Sequence, residues 1–520
     1  MASGVDDQVS ELLGIATTMF NAGDLAGAKE ILSTLNVVSP ANFAVLKLLG
    51  IVAATEGGYG EAAALLDQAV ALDDRDALAW NVLSVCRFKG GDDPGALDCA
   101  DRAIGLRTTF GEAHNNRGNA LNRLGRQAEA LEAFEAALGV LPGDAEVLVN
   151  IGNVLRDLGQ AAASLGYLDR AIAIDPAIAE AHFNRGTALQ DLGRHAEAIA
   201  GFGEALRLDP DHVDAHWNRS LANLLTGQFE AGWREYEWRW RRSSPESRPR
   251  NVPCPLWLGQ EDLTGKTILL HCEQGLGDSI QFIRYAPVVA KMGARVIVEA
   301  FEPLVELFSQ VEGVAEVTVR GGPIPVADYH CPLMSLPLAL GGEALASVPF
   351  ELNASETMRG KWRGEGGGGL NVGVVCSGNL KGAEGRSLPA AALFAALPAG
   401  PAYCLLQKEL RPSDAAILDA RKDIRFVGDR LDGFADTAGL CMAMDLVITV
   451  DTSAAHLAAS LGRPTWILLA YDAGWRWGLE PETTHWYPSA RLYRQTVRGD
   501  WSGPLATIGA DLAAMARQAG

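Results

Sequence analysis

The chain has little of what marks a secreted, membrane-spanning or nucleic-acid-binding protein. Its eight cysteines are scattered without a C-x-x-C pair, which argues against a disulfide framework or a thiolate zinc site and leaves reduced, mostly buried thiols. Lys and Arg number 44 against 64 Asp and Glu, a net charge of −20, so no basic face is expected and no nucleic-acid partner with it. No apolar run approaches a membrane span, and the acidic start MASGVDDQVSELLG lacks the basic and apolar regions of a secretory leader. A cytoplasmic protein is the expectation. Catalytic signatures are sparse as well: there is no H-E-x-x-H and no G-x-S-x-G, and "GLGDSI" lacks the third glycine of a dinucleotide fingerprint. "GQEDLTGKT" near residue 259 spaces its glycines by five residues and precedes its strand, unlike a P-loop. At 520 residues the chain is too long for one core.

What the chain does have is an internal period. Ala16, Gly50, Ser84, Gly118, Gly152, Gly186 and Ser220 are each 34 residues apart, and all are small. Ala28, Ala62, Ala96, Ala130, Ser164, Ala198 and Gly232 keep the same step. Two small positions per unit let two helices cross closely, and Pro40, Pro142, Pro176 and Pro210 fall where one unit should end. This pattern resembles tetratricopeptide repeats, in about seven units from residue 10 to residue 242, and "NRGTALQDLGRHAEAIAGFGEALRLDP" carries it most clearly. The resemblance implies a superhelix whose groove holds a peptide or protein. Asn116, Asn150, Asn184 and Asn218 also repeat at 34, on the first helix of each unit. Such amides can clamp a peptide backbone, or they can support the fold itself. The array ends in "WREYEWRWRRSSPESRPR", where Trp233, Tyr236 and Trp240 share a helix face. An aromatic basic helix can suggest nucleic acid; a capping helix packed on the next domain is the preferred reading.

From Lys266 the period changes to strands alternating with helices, as in parallel sheets with right-handed crossovers. "TILLHC", "RVIVEA" and "VAEVTV" form a first set. "EGGGGL" at 365–370 reads as a hinge, and "LNVGVVCSG", "AYCLLQ", "IRFVG", "LVITV" and "TWILLA" form a second. The expected organisation is a repeat array over 1–242, a proline-rich linker over 243–265, and Rossmann-like lobes over 266–362 and 363–520. Ligands in such sheets bind beyond the carboxyl ends of the strands.

"LVITVDTSAAHLAASLGRP" (446–464) places Asp451, Thr452, Ser453 and His456 where a buried strand becomes a helix. The hydroxyls and carboxylate suit either helix capping or an anion site. "DTSAAHLAASLGRP" resembles the D-T-G-x-x-H-L-A-A motif of the ADP-heptose–lipopolysaccharide heptosyltransferases, with Ser453-Ala454 where those enzymes carry glycine. "EQGLGDSIQFIRYAP" resembles their G-D-x-x-x-x-x-P segment. A wider resemblance, through "EQGLGD", "RS" at 386, "LLQKE", "FADTAGL", "VDTSAAHLA" and "RLYRQ", is to bacterial tetratricopeptide-repeat glycosyltransferases.

That resemblance implies a GT-B module of two lobes. It would move a sugar from a nucleotide donor to an acceptor with inversion, without metal or other cofactor. No Asp-x-Asp pair follows Asp211, so protein groups would offset the phosphate charge. Asp278 is the candidate base, or else a helix cap. Ser377, Gly378, Lys381, Arg386, Gln407, Lys408, Asp451, Thr452, Ser453 and His456 are the candidate donor-binding residues, His456 having the alternative of a buried histidine bonded to backbone. Asn116, Asn150, Asn184 and Asn218 would bind a protein acceptor, flagellin being one candidate. The alternatives are a lipopolysaccharide or other glycan transferase, and a scaffold with an inactive transferase module.

Overall fold

The computed structural model describes residues 2–243, 249–342, 350–365, 369–378 and 387–519. They form two compact units, Met1–Ala215 and His216–Gly520. No helix among the described residues is long and apolar enough to cross a membrane.

The 34-residue period is a run of helix pairs. In order they are α1 (Ala2–Asn21) with α2 (Leu25–Val38), α3 (Phe43–Thr55) with α4 (Tyr59–Leu72), and α5 (Ala77–Lys89) with α6 (Asp93–Leu106). Next come α7 (Gly111–Arg123) with α8 (Gln127–Val140), and α9 (Ala145–Asp157) with α10 (Ala161–Ile174). The last are α11 (Ala179–Asp191) with α12 (His195–Leu208), and α13 (Val213–Leu225) with α14 (Phe229–Tyr236). The small residues of the first series have a packing reason. A methyl on Gly50, Gly118, Gly152 or Gly186 would come within 2.5–2.7 Å of Leu66, Phe134, Leu168 or Phe202 on the paired helix. Ser84, in place of glycine, crosses the same gap with its hydroxyl, whose Oγ donates to the Ala96 carbonyl at 2.8 Å, whereas Ser220 Oγ donates to the Trp217 carbonyl of its own helix at 2.8 Å. A third small series has a different reason: Gly23, Gly57, Gly91, Gly125, Gly159, Gly193 and Gly227 close each helix pair with φ between +71° and +84°. Side chains there would meet open space, so backbone conformation alone selects glycine.

The C-terminal unit begins inside the repeat pattern, at His216 within α13, and α14 packs into its core. Trp233 and Tyr236 are 2% and 1% exposed and lie in one hydrophobic core with Phe282, Trp475 and the strands of the first sheet. This is the domain-capping arrangement expected of the aromatic stretch, and Trp240 sits beside it with the Arg239 guanidinium 4.2 Å from its ring.

Two parallel sheets follow. The first takes the order β3-β2-β1-β4 from β1 (Thr267–His271), β2 (Arg295–Ala300), β3 (Val314–Val319) and β4 (Tyr329–Pro332). The second runs β10-β9-β8-β5-β6-β7. Its strands are β5 (Asn371–Val375), β6 (Ala402–Leu405), β7 (Ile424–Phe426), β8 (Leu446–Val450), β9 (Thr465–Leu469) and β10 (Ala490–Arg494). Relabelled from β5, this is the doubly wound 3-2-1-4-5-6 order, with its switch point between β5 and β8. Crossover helices in the first set include α15 (Leu276–Phe282), α16 (Ala286–Lys291), α17 (Val305–Phe308) and α18 (Leu336–Ala339); α19 (Glu356–Trp362) leads to the second. There α20 (Ala390–Ala396), α21 (Pro412–Ala420), α22 (Phe434–Met442), α23 (Ser453–Ser460) and α24 (Ser502–Ala519) cover the sheet.

Two expectations differ in detail, and a third falls partly outside the described residues. The helix expected over 279–291 is α15, a 3-10 turn at Ile283–Tyr285 and α16, broken where Pro287 cannot donate to the preceding turn. The described part of the linker, 249–265, is built into the C-terminal unit. Trp257 is fully buried and donates its backbone N–H to His330 at 2.8 Å, because the apolar Trp257 and Leu263 outweigh the prolines around them. Of the glycine hinge, residues 366–368 lie outside the described residues, while Glu365 is anchored to Arg430 at 2.6 Å.

Candidate functional site

A cavity of about 340 Å³ opens at the carboxyl ends of β5, β6, β7 and β8, across the switch point. Each strand contributes the residues that follow it: Ser377 and Gly378, then Gln407 and Lys408, then Asp432 to Phe434, then Thr452 to Ala454. Leu276 and Pro303, which follow β1 and β2 of the first sheet, close the opposite wall.

The lining is shaped by short hydrogen bonds. Gln407 is 7% exposed, and its Oε1 accepts from the Cys376 amide at 2.8 Å while its Nε2 donates to Ser377 Oγ at 2.9 Å. Its amide therefore orients Ser377, and Lys408 next to it is exposed. Thr452 is the N-cap of α23 but makes no side-chain cap bond; its hydroxyl lies 3.2 Å from that of Thr449. The first-turn amides of α23 are thus left uncapped by Thr452, beside a cavity that Thr452 and Ser453 line. Lys381 and Arg386 lie outside the described residues.

Asp278, Asp451 and His456 do not line this cavity. Asp278 occupies the third position of α15 and accepts the Gly275 N–H at 3.0 Å. Its other oxygen is ion-paired with Arg476, which comes from the segment after β9. Burial alone would lower the Arg476 pKa, but Asp278, then Tyr236 and Asp451, outweigh it and hold the guanidinium above its ordinary value. Arg476, from the segment after β9 of the second sheet, thus pairs with Asp278, which follows β1 of the first. His456 is buried behind the cavity, stacked on Trp477 with ring centroids 4.9 Å apart, and its Nδ1 lies 2.9 Å from the Tyr487 hydroxyl. The sequence offered a donor contact or, alternatively, a buried histidine bonded to backbone; the partner of this buried ring is the Tyr487 side chain. Burial first, then the Arg476 and Arg284 charges, push its pKa well down and keep it neutral.

Two groups of site residues escaped the sequence reading. Asp432, Gly433, Phe434 and Thr437 were reachable, since they follow a strand and open a helix as the other wall segments do. Arg476 was not, because "WRW" carries no strand–helix boundary to place it.

The asparagines of the repeats are partly spent within the array. Asn116 Nδ2 donates to Asn81 Oδ1 at 2.8 Å, and Asn150 Nδ2 to Asn115 Oδ1 at 3.0 Å, each tying one repeat to the one before. Asn184 is 5% exposed, and Asn218 belongs to the C-terminal unit.

The chain carries tetratricopeptide repeats ahead of a C-terminal unit that holds two parallel sheets. Tetratricopeptide-repeat family models match residues 47–109, 110–145, 145–178 and 179–212. Protein FlbA of Caulobacter vibrioides (strain ATCC 19089 / CIP 103742 / CB 15) is 26% identical over 324 residues, covering 56% of this chain and 54% of FlbA. The chain therefore spans about half the length of this curated relative. Among solved structures, the MamA protein is 24% identical, over 33% of this chain and 93% of its own, with a TM-score of 0.31. Pseudomonas aeruginosa pilF is 18% identical, over 41% of this chain and 96% of its own, with a TM-score of 0.36.

Proposed function

We propose that the chain is an inverting, metal-independent glycosyltransferase of the GT-B kind, which moves a sugar from a nucleotide donor onto a protein held by its repeats. The observation that carries this reading is the cavity at the switch point of the second sheet, faced by residues of the first. Doubly wound sheets bind nucleotides at that place. The α23 amides would receive the donor phosphates, with Lys408 offsetting their charge, and Ser377 and Thr452 would orient them. Asp278 would take the proton of the acceptor hydroxyl as it attacks the anomeric carbon, once released from Arg476. Flagellin is a candidate acceptor on the sequence resemblance alone.

The engaged state of Asp278, bonded to Gly275 and Arg476, favours a second reading, a protein-binding scaffold whose module binds a nucleotide without turning it over. Calorimetry of UDP, GDP and ADP sugars with a chelator present tests the donor site. Binding without divalent metal is expected, and a requirement for magnesium would sink the metal-free mechanism. Asp278→Asn should keep donor affinity while transfer falls about a hundredfold. Transfer at the wild-type rate would make Asp278 only a cap, and donor binding with no turnover in the wild type would favour the scaffold.

A further inference from the structure

The turn that carries Asp278 is held from outside its own sheet. It leaves β1 as Glu273-Gln274-Gly275, and Gln274 has φ of +56°, the only positive value for a non-glycine among the described residues. Such a conformation persists only where its surroundings over-determine it. They do so from the last repeat helix, α14, and the 3-10 turn after it, Glu237–Arg241. Gln274 Nε2 donates to the Tyr236 hydroxyl at 3.1 Å. Glu273, 4% exposed, accepts a two-pronged contact from Arg239, Nη2 to Oε1 at 2.9 Å and Nε to Oε2 at 3.2 Å. Arg239 is itself 2% exposed, and is fixed by the Tyr236 carbonyl at 3.2 Å, Glu237 at 2.6 Å and Ser335 Oγ at 2.6 Å. The far end of the turn is held through the same residues: Tyr236 packs on Trp475, and the Arg476 guanidinium, paired with Asp278, lies over the Trp475 ring at 4.6 Å.

We infer that Tyr236 and Arg239 are positioning residues for the Glu273–Asp278 turn, so that the last repeat helix is part of the catalytic apparatus as well as of the array. The catalytic half of this statement rests on the reading of Asp278 as the base. The physical reason is that Gln274, freed of its two-sided hold, relaxes toward negative φ and carries the carboxylate with it. A displacement near 1 Å is enough to misalign a base.

Hydrogen exchange by mass spectrometry on the full-length chain tests the positioning, with Tyr236→Phe and Arg239→Met as the variants. Tyr236→Phe keeps the buried ring and removes only the hydroxyl, so its Tm should move by no more than about 4 °C. Exchange in the peptide spanning 273–279 should rise about tenfold or more in both variants, while peptides spanning 372–378 and 431–437 stay unchanged. Unchanged exchange at 273–279 in folded Tyr236→Phe would overturn the inference. Hydrolysis by water of whichever UDP, GDP or ADP sugar binds supplies the second readout. Tyr236→Phe should lower kcat without changing donor Kd, and the double variant with Asp278→Asn should be no slower than Asp278→Asn alone. Full additivity would overturn the inference. If no nucleotide sugar binds the wild-type chain, the transferase reading fails, and exchange alone decides whether the turn is held.

Discussion

Asn116 shows how one residue can be read in two ways and need both. Its Nδ2 is spent on Asn81, yet an amide has a second N–H and an acceptor oxygen to offer a peptide. Asn116→Ala would leave the oxygen of Asn81, 8% exposed, without its donor, at a cost of about 1–3 kcal/mol. Urea denaturation followed by circular dichroism should show that loss; an unchanged midpoint would mean the bond is dispensable. His271 makes a second prediction. Burial first, and then His330 and the Arg250, Arg320 and Arg239 charges, push its pKa from 6.5 down to about 3. Between those values the unfolded chain holds a proton that the folded chain refuses. His271 therefore contributes stability that is complete above about pH 6.5 and is lost as pH falls toward 3, by up to about 1.4 kcal/mol per pH unit. His456 acts with the same sign, and the buried Glu273 and Glu299, whose pKa values burial raises, act against it. The difference in Tm between wild type and His271→Gln across pH 7 to 4 isolates the one group, and it should narrow as the pH falls.

Helix pairs use two kinds of small residue, and substitution separates them. Gly118→Ala drives a methyl into Phe134 and should cost about 1–3 kcal/mol through overpacking. Gly125, at φ +75° with open space around its absent side chain, suffers only backbone strain. Gly125→Asn should therefore cost less than Gly125→Val, because asparagine visits the left-handed region and a β-branched residue does not. Equal losses for the two would show that the turn is limited by packing. The turn glycines were legible at their spacing of 34, as regular as the packing series, but spacing alone does not say which series packs and which turns. The same gap explains α15 and α16: apolar content suggested one helix, while Pro287 divided it.

At the scale of the whole chain the boundary lies at Ala215/His216, inside the repeats. A chain beginning at Lys266, where the strands start, would lose Trp233, Tyr236 and Arg239 and leave Glu273 buried without its cation. Removing one partner of such a pair costs about 3–5 kcal/mol, before the lost aromatic core is counted. We expect that chain to be recovered insoluble or without a cooperative melt, and a chain beginning at Val213 to melt cooperatively. A cooperative melt for the shorter chain would show that the first sheet needs nothing from the last helix pair.

The sequence by itself determined the number and period of the helix pairs, because close helix crossing admits only small residues at fixed intervals. It also determined the alternation of buried strands and helices, and with it the strand ends where Ser377, Gln407 and Thr452 gather, since both depend on short-range pattern. Only the tertiary structure decided what those residues face. Arg476 and Asp278 are 198 positions apart, and no local period records a pair of that separation. The same holds for Tyr236 with Gln274, for His456 with Tyr487, and for the membership of the last repeat in the C-terminal unit. Burial and ion pairing across distant segments are set by which surfaces meet, and that is a property of the folded chain.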